Sequence, residues 1–142
     1  MNVFIVGSPM ETAMVLDKKR LNRQIIETKQ ILDALFGESE AWNRHPATLQ
    51  YDEFEQWLLE YRGCLWNYRR GDLEAAQMHS QLADSIRPPF HTEEFFNQMK
   101  RRLYTKDNNH YAQWAYLGES QENWYWSPSE QKIIKYVNGK RV

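Results

Sequence analysis

The chain has a single cysteine, Cys64, which excludes an internal disulfide and any cluster of thiolate ligands and fits a reducing compartment; a cytoplasmic setting is expected. Long hydrophobic runs are also missing. The start, "MNVFIVGSPME", is apolar but lacks the basic region and length of a secretory signal, and no stretch approaches the ~18 apolar residues of a membrane span. Solubility is the expectation. Neither sign of charge dominates: 18 Lys and Arg against 19 Asp and Glu leave a formal net charge of −1. Global charge therefore does not advertise a nucleic-acid binder, and any electrostatic footprint must be local. Nor does the sequence hold a Gly-rich phosphate loop, a metal-ligand helix, a Ser-His-Asp set, an internal repeat or a low-complexity segment.

Aromatic residues are what the chain has in quantity: 14% of it, with six Trp and eight Tyr. Many lie in the second half beside Lys, Arg and Asn. Such rings either fill the core of a small helical protein or stack on unpaired bases. A length of 142 residues suits one domain, 1–142, that buries roughly 68–70% of its unfolded surface.

Helix signals punctuate the chain. Ser8, Pro9 and Glu11 form a capping pattern, so residues 2–6 before them are extended. The apolar spacing of Leu21, Ile25, Leu32, Leu35 and Phe36 runs to Gly37, with a break at Asp17 where a second helix can be capped. Phe54, Trp57, Leu58, Tyr61, Leu65 and Tyr68 mark another helix that ends before Gly71. Asp72 caps a third pattern with Ala75, His79, Leu82 and Ile86 on one face, which places His79 in the core. "RPPF" halts it, and Thr92 caps a fourth carried by Phe95, Phe96, Met99 and Leu103. After an irregular aromatic-rich stretch, Ser127, Pro128 and Glu130 predict a short last helix ending at Asn138 and Gly139; the rival reading is a hairpin turned by that Asn-Gly pair. The predicted architecture is a compact all-α bundle of four to six helices with a short extended N-terminal segment.

The stretch "LDKKRLNRQIIETKQIL", residues 16–32, carries Arg20, Gln24 and Glu27 close to one line, with Arg23 beside it. An Arg23–Glu27 surface pair would be worth only ~0.3–0.5 kcal/mol. A working surface is the other reading, and a resemblance favours it. Together with "HPA", "RPPF", "KDNNHYAQWAY" and "WYWSP" in that order, the stretch resembles the pyrimidine-dimer DNA glycosylase family of the phage endonuclease V type, most closely its bacterial and phage relatives.

The resemblance implies a small all-α glycosylase with β-lyase activity and no metal or organic cofactor. In that family the terminal α-amine attacks the anomeric carbon of the damaged nucleotide, the base leaves, a Schiff base forms, and strand scission follows. The essential glutamate of the first helix falls on Glu27, and the family's aromatic C-terminal segment is matched by His110, Tyr111, Trp114 and Tyr116. An α-amine titrates near 7.7–8.0, so part of it is the free nucleophile at neutral pH. Glu27 would stabilise oxocarbenium character and take the proton that drives elimination. Two departures stand out. Ile26 and Gln30 replace family arginines, so Arg20 and Arg23 are analogues and not matched positions. The family exposes a small residue after removal of the initiator methionine, whereas Asn2 is bulky, so the amine belongs to Met1 or to Asn2.

Further DNA contacts are expected from Arg44 and His45 at a helix start, and from Lys100, Arg101 and Arg102 in "KRRLYTK", which leads into His110, Tyr111 and Trp114. A loop or capping histidine, and a polar turn around Asp107 and His110, are the structural alternatives. The expected partner is duplex DNA with a damaged or modified base, bound by a monomer. A non-catalytic nucleic-acid-binding module on the same scaffold is the rival, and a hydrolase of free nucleosides a distant third.

Overall fold

The computed structural model describes residues 2–142. The chain packs as two compact units, Met1–Pro88 and Pro89–Val142.

The first unit opens with the extended residues 2–6, of which Val3, Phe4, Ile5 and Val6 are buried. Ser8 caps α1 (Pro9–Val15) by accepting from the Glu11 N–H, and Asp17 caps α2 (Lys18–Leu35) by accepting from the Arg20 N–H. Helix α2 ends as the sequence predicts: Gly37 takes a left-handed φ of 75°, and the Gly37 and Glu38 N–H groups return to Ala34 and Asp33 at 3.3 and 2.8 Å. A short α3 (Pro46–Gln50) precedes α4 (Glu55–Arg69), which closes in the same way at Gly71. Helix α5 (Leu73–Ser85) starts at Asp72.

Helix α4 is the centre, packed on α5, α2 and α1. Its Trp57, Leu58, Tyr61, Cys64 and Leu65 are buried, and Tyr51, Trp57 and Tyr61 stack at successive ring distances of 5.4 and 5.0 Å. Burial pushes the Cys64 thiol up to about 12, which makes it an inert core residue. One expectation fails on α5. The buried face is Ala76, Ser80 and Ala83, one position away from the predicted one, while Leu82 and Ile86 are exposed. Small side chains let α5 approach α4 closely: a β-carbon on Gly63 would sit 2.9 Å from the His79 ring. His79 is therefore partly exposed at the helix interface, with Nδ1 2.7 Å from a Glu60 carboxylate oxygen.

In the second unit Thr92 caps α6 (Glu93–Lys106), whose Phe95, Met99 and Leu103 are buried as expected. A 3₁₀ helix (Ala112–Leu117) follows, and then the chain departs from the all-α expectation. Strands β1 (Glu122–Ser127), β2 (Lys132–Val137) and β3 (Lys140–Arg141) form an antiparallel sheet in that order. Glu122 faces Val137, Ser127 faces Lys132, and Tyr136 faces Arg141. The predicted last helix is thus a hairpin, and the Asn-Gly reading holds: Asn138 and Gly139 have φ of 51° and 78° and make the two-residue turn between β2 and β3. The capping signal was locally correct, since Ser127 Oγ accepts from the Glu130 N–H at 3.2 Å. That bond closes a serine turn equally well, and Gln131, at φ 54°, sends the chain back as a strand. The protein is mostly helical with a small C-terminal sheet. No helix among the described residues is long and apolar enough to cross a membrane.

Candidate nucleic-acid and active site

The predicted site residues of α2 do not all do what the helical wheel assigns them. Arg20 turns back to its own cap, 3.3 Å from Asp17, with little of its side chain exposed. Arg23 projects outward, 61% exposed, and places Nη2 3.1 Å from Glu27 Oε1. The Glu27 side chain is only 14% exposed, so its carboxylate is largely sunk beside an exposed cation. Gln24, expected to face DNA, is 1% exposed and is used inside the protein. The reason is the extended N-terminal segment, whose backbone groups need partners once Val3 to Val6 are buried. Gln24 Oε1 accepts from the Phe4 N–H at 2.9 Å, and Gln24 Nε2 donates to the Asn2 carbonyl at 2.6 Å.

Around this point the core is wired with polar groups. The Tyr61 hydroxyl donates toward the Phe4 carbonyl and toward Gln24 Oε1, the latter at 3.1 Å. Burial pushes that phenol well above its usual range, so it stays a donor. Thr28 Oγ1 donates to the Gln24 carbonyl at 2.6 Å, and Arg62 Nε donates to the Ile25 carbonyl at 3.0 Å. The Asn2 carbonyl is therefore pinned to the helix one turn before Glu27. Met1 lies outside the described residues.

His45 is the N-cap of α3: its Nδ1 accepts from the Ala47 N–H at 3.1 Å, and its ring meets Trp42 edge-on at 5.6 Å. Burial holds its pKa below the usual value, the positive charge of the chain's N-terminus lowers it further, and the Glu27 carboxylate opposes both. The capping alternative is the one realised, and the same histidine feels Glu27. Arg44 beside it is exposed. Sequence reasoning missed Arg69, at the far end of α4. Its Nη1 is 3.1 Å from Asn22 Oδ1 and its guanidinium lies 5.4 Å from the exposed Trp66 ring, beside the basic start of α2. Only the pairing of α2 with α4, invisible in a linear scan, brings it there.

The second unit redistributes its predicted contacts too. Tyr111 is 0% and Trp114 7% exposed, their rings stacked at 5.3 Å, so both are core residues and not a base-stacking platform. His110 and Tyr116 are on the surface. The Asp107 carboxylate accepts from the His110 backbone N–H at 3.1 Å, which is the polar turn. Lys100 lies over Trp114 at 5.9 Å, and Arg101 reaches the Leu117 carbonyl at 3.4 Å. Arg102 is partly buried, which lowers its pKa, and Tyr125 opposes that shift. Arg101 and Arg102 line a cleft of about 580 Å³ together with Gln98, Tyr104, Asn108 and Asn123.

Residues 1–68 match the family described as pyrimidine dimer DNA glycosylase. No curated protein and no solved structure matches significantly. The family match agrees with the resemblance, covers two of the motifs that carried it, residues 16–32 and "HPA", and suggests a DNA glycosylase; "RPPF", "KDNNHYAQWAY" and "WYWSP" lie beyond it. It spans just under half the chain, and that half holds Asn2, Gln24, Glu27 and His45.

Proposed function

We propose that this chain, whose residues 1–68 match the pyrimidine dimer DNA glycosylase family, excises a damaged or modified base from duplex DNA with its terminal amine as nucleophile and Glu27 as the essential carboxylate. The observation that carries the reading is the 2.6 Å bond from Gln24 to the Asn2 carbonyl, which ties the start of the chain to α2 one turn from Glu27. His45 supports it, because its titration responds both to Glu27 and to the N-terminal charge.

The free amine attacks C1′ of the nucleotide, and the base departs with the electron pair of the glycosidic bond. Glu27, largely buried and negatively charged, stabilises the positive character at the sugar during this step. Ring opening gives an imine between the amine and C1′. Glu27 then removes a C2′ proton, and the electrons of that bond expel the 3′ phosphate in a β-elimination. Chemistry on a duplex requires the nucleotide to be extruded, and phosphate contacts hold the register. Arg23 and Arg69 take that task, since Ile26 and Gln30 have no charge to offer. The protein acts as a monomer without a cofactor.

Borohydride trapping tests the reading on duplexes carrying an abasic site, a cyclobutane dimer or a modified pyrimidine. An adduct on the N-terminal peptide is expected, and mass spectrometry assigns it to Met1 or Asn2. Glu27→Gln is expected to slow single-turnover cleavage by roughly 10²–10⁴-fold while DNA affinity holds. Wild-type binding without adduct or excision leaves a binding module and sinks the enzyme.

A further inference from the structure

We infer that Gln24 is a positioning residue that clamps the first residues of the chain along α2 and so delivers the terminal amine to a sugar held at Glu27. The inference rests on the nucleophile reading above and goes beyond it by naming the group that holds the nucleophile.

Residues 2–6 are extended and buried over Val3 to Val6, yet no strand of the sheet pairs with them. Gln24 acts in place of a neighbouring strand. Its amide presents one acceptor to the Phe4 N–H at 2.9 Å and one donor to the Asn2 carbonyl at 2.6 Å, the pairing that a ladder would offer. The amide has one workable orientation, because the Phe4 N–H is a donor and must meet Oε1. Nε2 therefore faces the Asn2 carbonyl. Tyr61, from α4, fixes the acceptor end through its bond to Oε1 at 3.1 Å. Consecutive Cα atoms are about 3.8 Å apart, so fixing the Asn2 carbonyl leaves the amine roughly one residue of freedom. Glu27 projects from the next turn of the same helix. A glutamine makes both bonds, a methionine neither, and a glutamate only the one to Phe4.

The test uses the whole chain and a duplex with one abasic site. Single-turnover borohydride trapping is measured for wild type, Gln24→Met, Gln24→Glu and each of these with a second asparagine inserted after Met1, which leaves the processing of the methionine unchanged. Loss of the clamp is expected to slow trapping about 100-fold, the scale of a 1 Å misplacement, with duplex affinity unchanged. The inserted asparagine is expected to cost a comparable factor in wild type and little in the Gln24 variants, because a loose segment has no fixed amine left to displace. A purely structural role does not produce that non-additivity. If Gln24→Met fails to fold by circular dichroism, Gln24→Glu carries the comparison. Unfolding of both variants makes the clamp a folding element and overturns the inference. So do equal trapping rates, or additive losses on insertion, in a chain whose wild type forms the adduct. A wild type that forms none overturns the nucleophile reading itself and removes the reason for a clamp.

Discussion

The start of the first unit and the aromatic stretch of the second bury their side chains in opposite ways. Around residues 2–6 the buried groups include an amide, a hydroxyl and a phenol, all spent on holding one extended segment: Gln24, Thr12 and Tyr61. Around the 3₁₀ helix the buried groups are rings packed on rings, Tyr111 on Trp114 and Phe90 on Trp126. Ring packing needs only volume, and many arrangements supply it. A polar network in a low-dielectric interior is specified atom by atom, since any unpaired member is costly. The family match follows this division, covering the polar network and stopping at residue 68. Chemistry that needs one atom in one place is therefore expected at the network.

The largest expected effect distinguishes ring packing from base stacking. Tyr111→Ala or Trp114→Ala removes a buried aromatic and is expected to cost about 3–5 kcal/mol of stability, read by thermal unfolding. Below the transition, DNA affinity is expected to stay near that of wild type. Tyr116, 76% exposed, should change stability by no more than ~0.5 kcal/mol when replaced by Ala. A stable Tyr111→Ala protein that has lost DNA affinity would turn the comparison around and make the ring a stacking platform.

These rings also mark the limit of what the sequence discloses. Helix caps and stops were legible because they are local: Ser8, Asp17, Asp72 and Thr92 each accept from an N–H three residues on. Gly37 and Gly71 supply the positive φ that their helix ends require. The place of Glu27 on α2, one turn after Arg23, was legible through helical spacing. The role of Gln24 was not, because helical spacing shows which residues share a face and not what the other side of that face meets. The α5 register failed for a related reason: closeness to α4 selected Ala76, Ser80 and Ala83 over larger neighbours. The final helix failed because a Ser-Pro-Ser-Glu turn and a helix start make the same first hydrogen bond, and only the β-branched and aromatic content of "KIIKYV" and the Asn-Gly turn decide between them.

A smaller effect sharpens the contrast between cations. Arg23 is 61% exposed and its pair with Glu27 is a surface pair, so Arg23→Ala is expected to change stability by only ~0.3–0.5 kcal/mol. As a phosphate contact it should lower the dependence of log affinity on log salt by about one unit. Lys100 over Trp114 should do the reverse on replacement by Ala, losing ~0.5–1 kcal/mol of stability with the salt slope intact. Fluorescence anisotropy across a salt series, beside thermal unfolding, separates the two. An unchanged slope for Arg23→Ala would remove it from the DNA surface.

The smallest expected effect concerns His45, where network and loop meet. Its folded pKa lies below the ordinary 6.5, first through burial and then through the N-terminal charge, against Glu27. Between the folded value and 6.5 the unfolded chain holds a proton that the folded chain does not, so stability rises with pH across that window. It is fully present above about 6.5 and falls as the solution is acidified through the window. Protonation of Nδ1 also ends its acceptance from the Ala47 N–H, 3.1 Å away, which frees the start of α3. Asparagine is a good cap without a titration. His45→Asn is therefore expected to match wild-type stability near neutral pH and to lose less melting temperature on acidification. Parallel profiles for the two proteins would mean that the cap, and not its neighbours' charges, is all that His45 contributes.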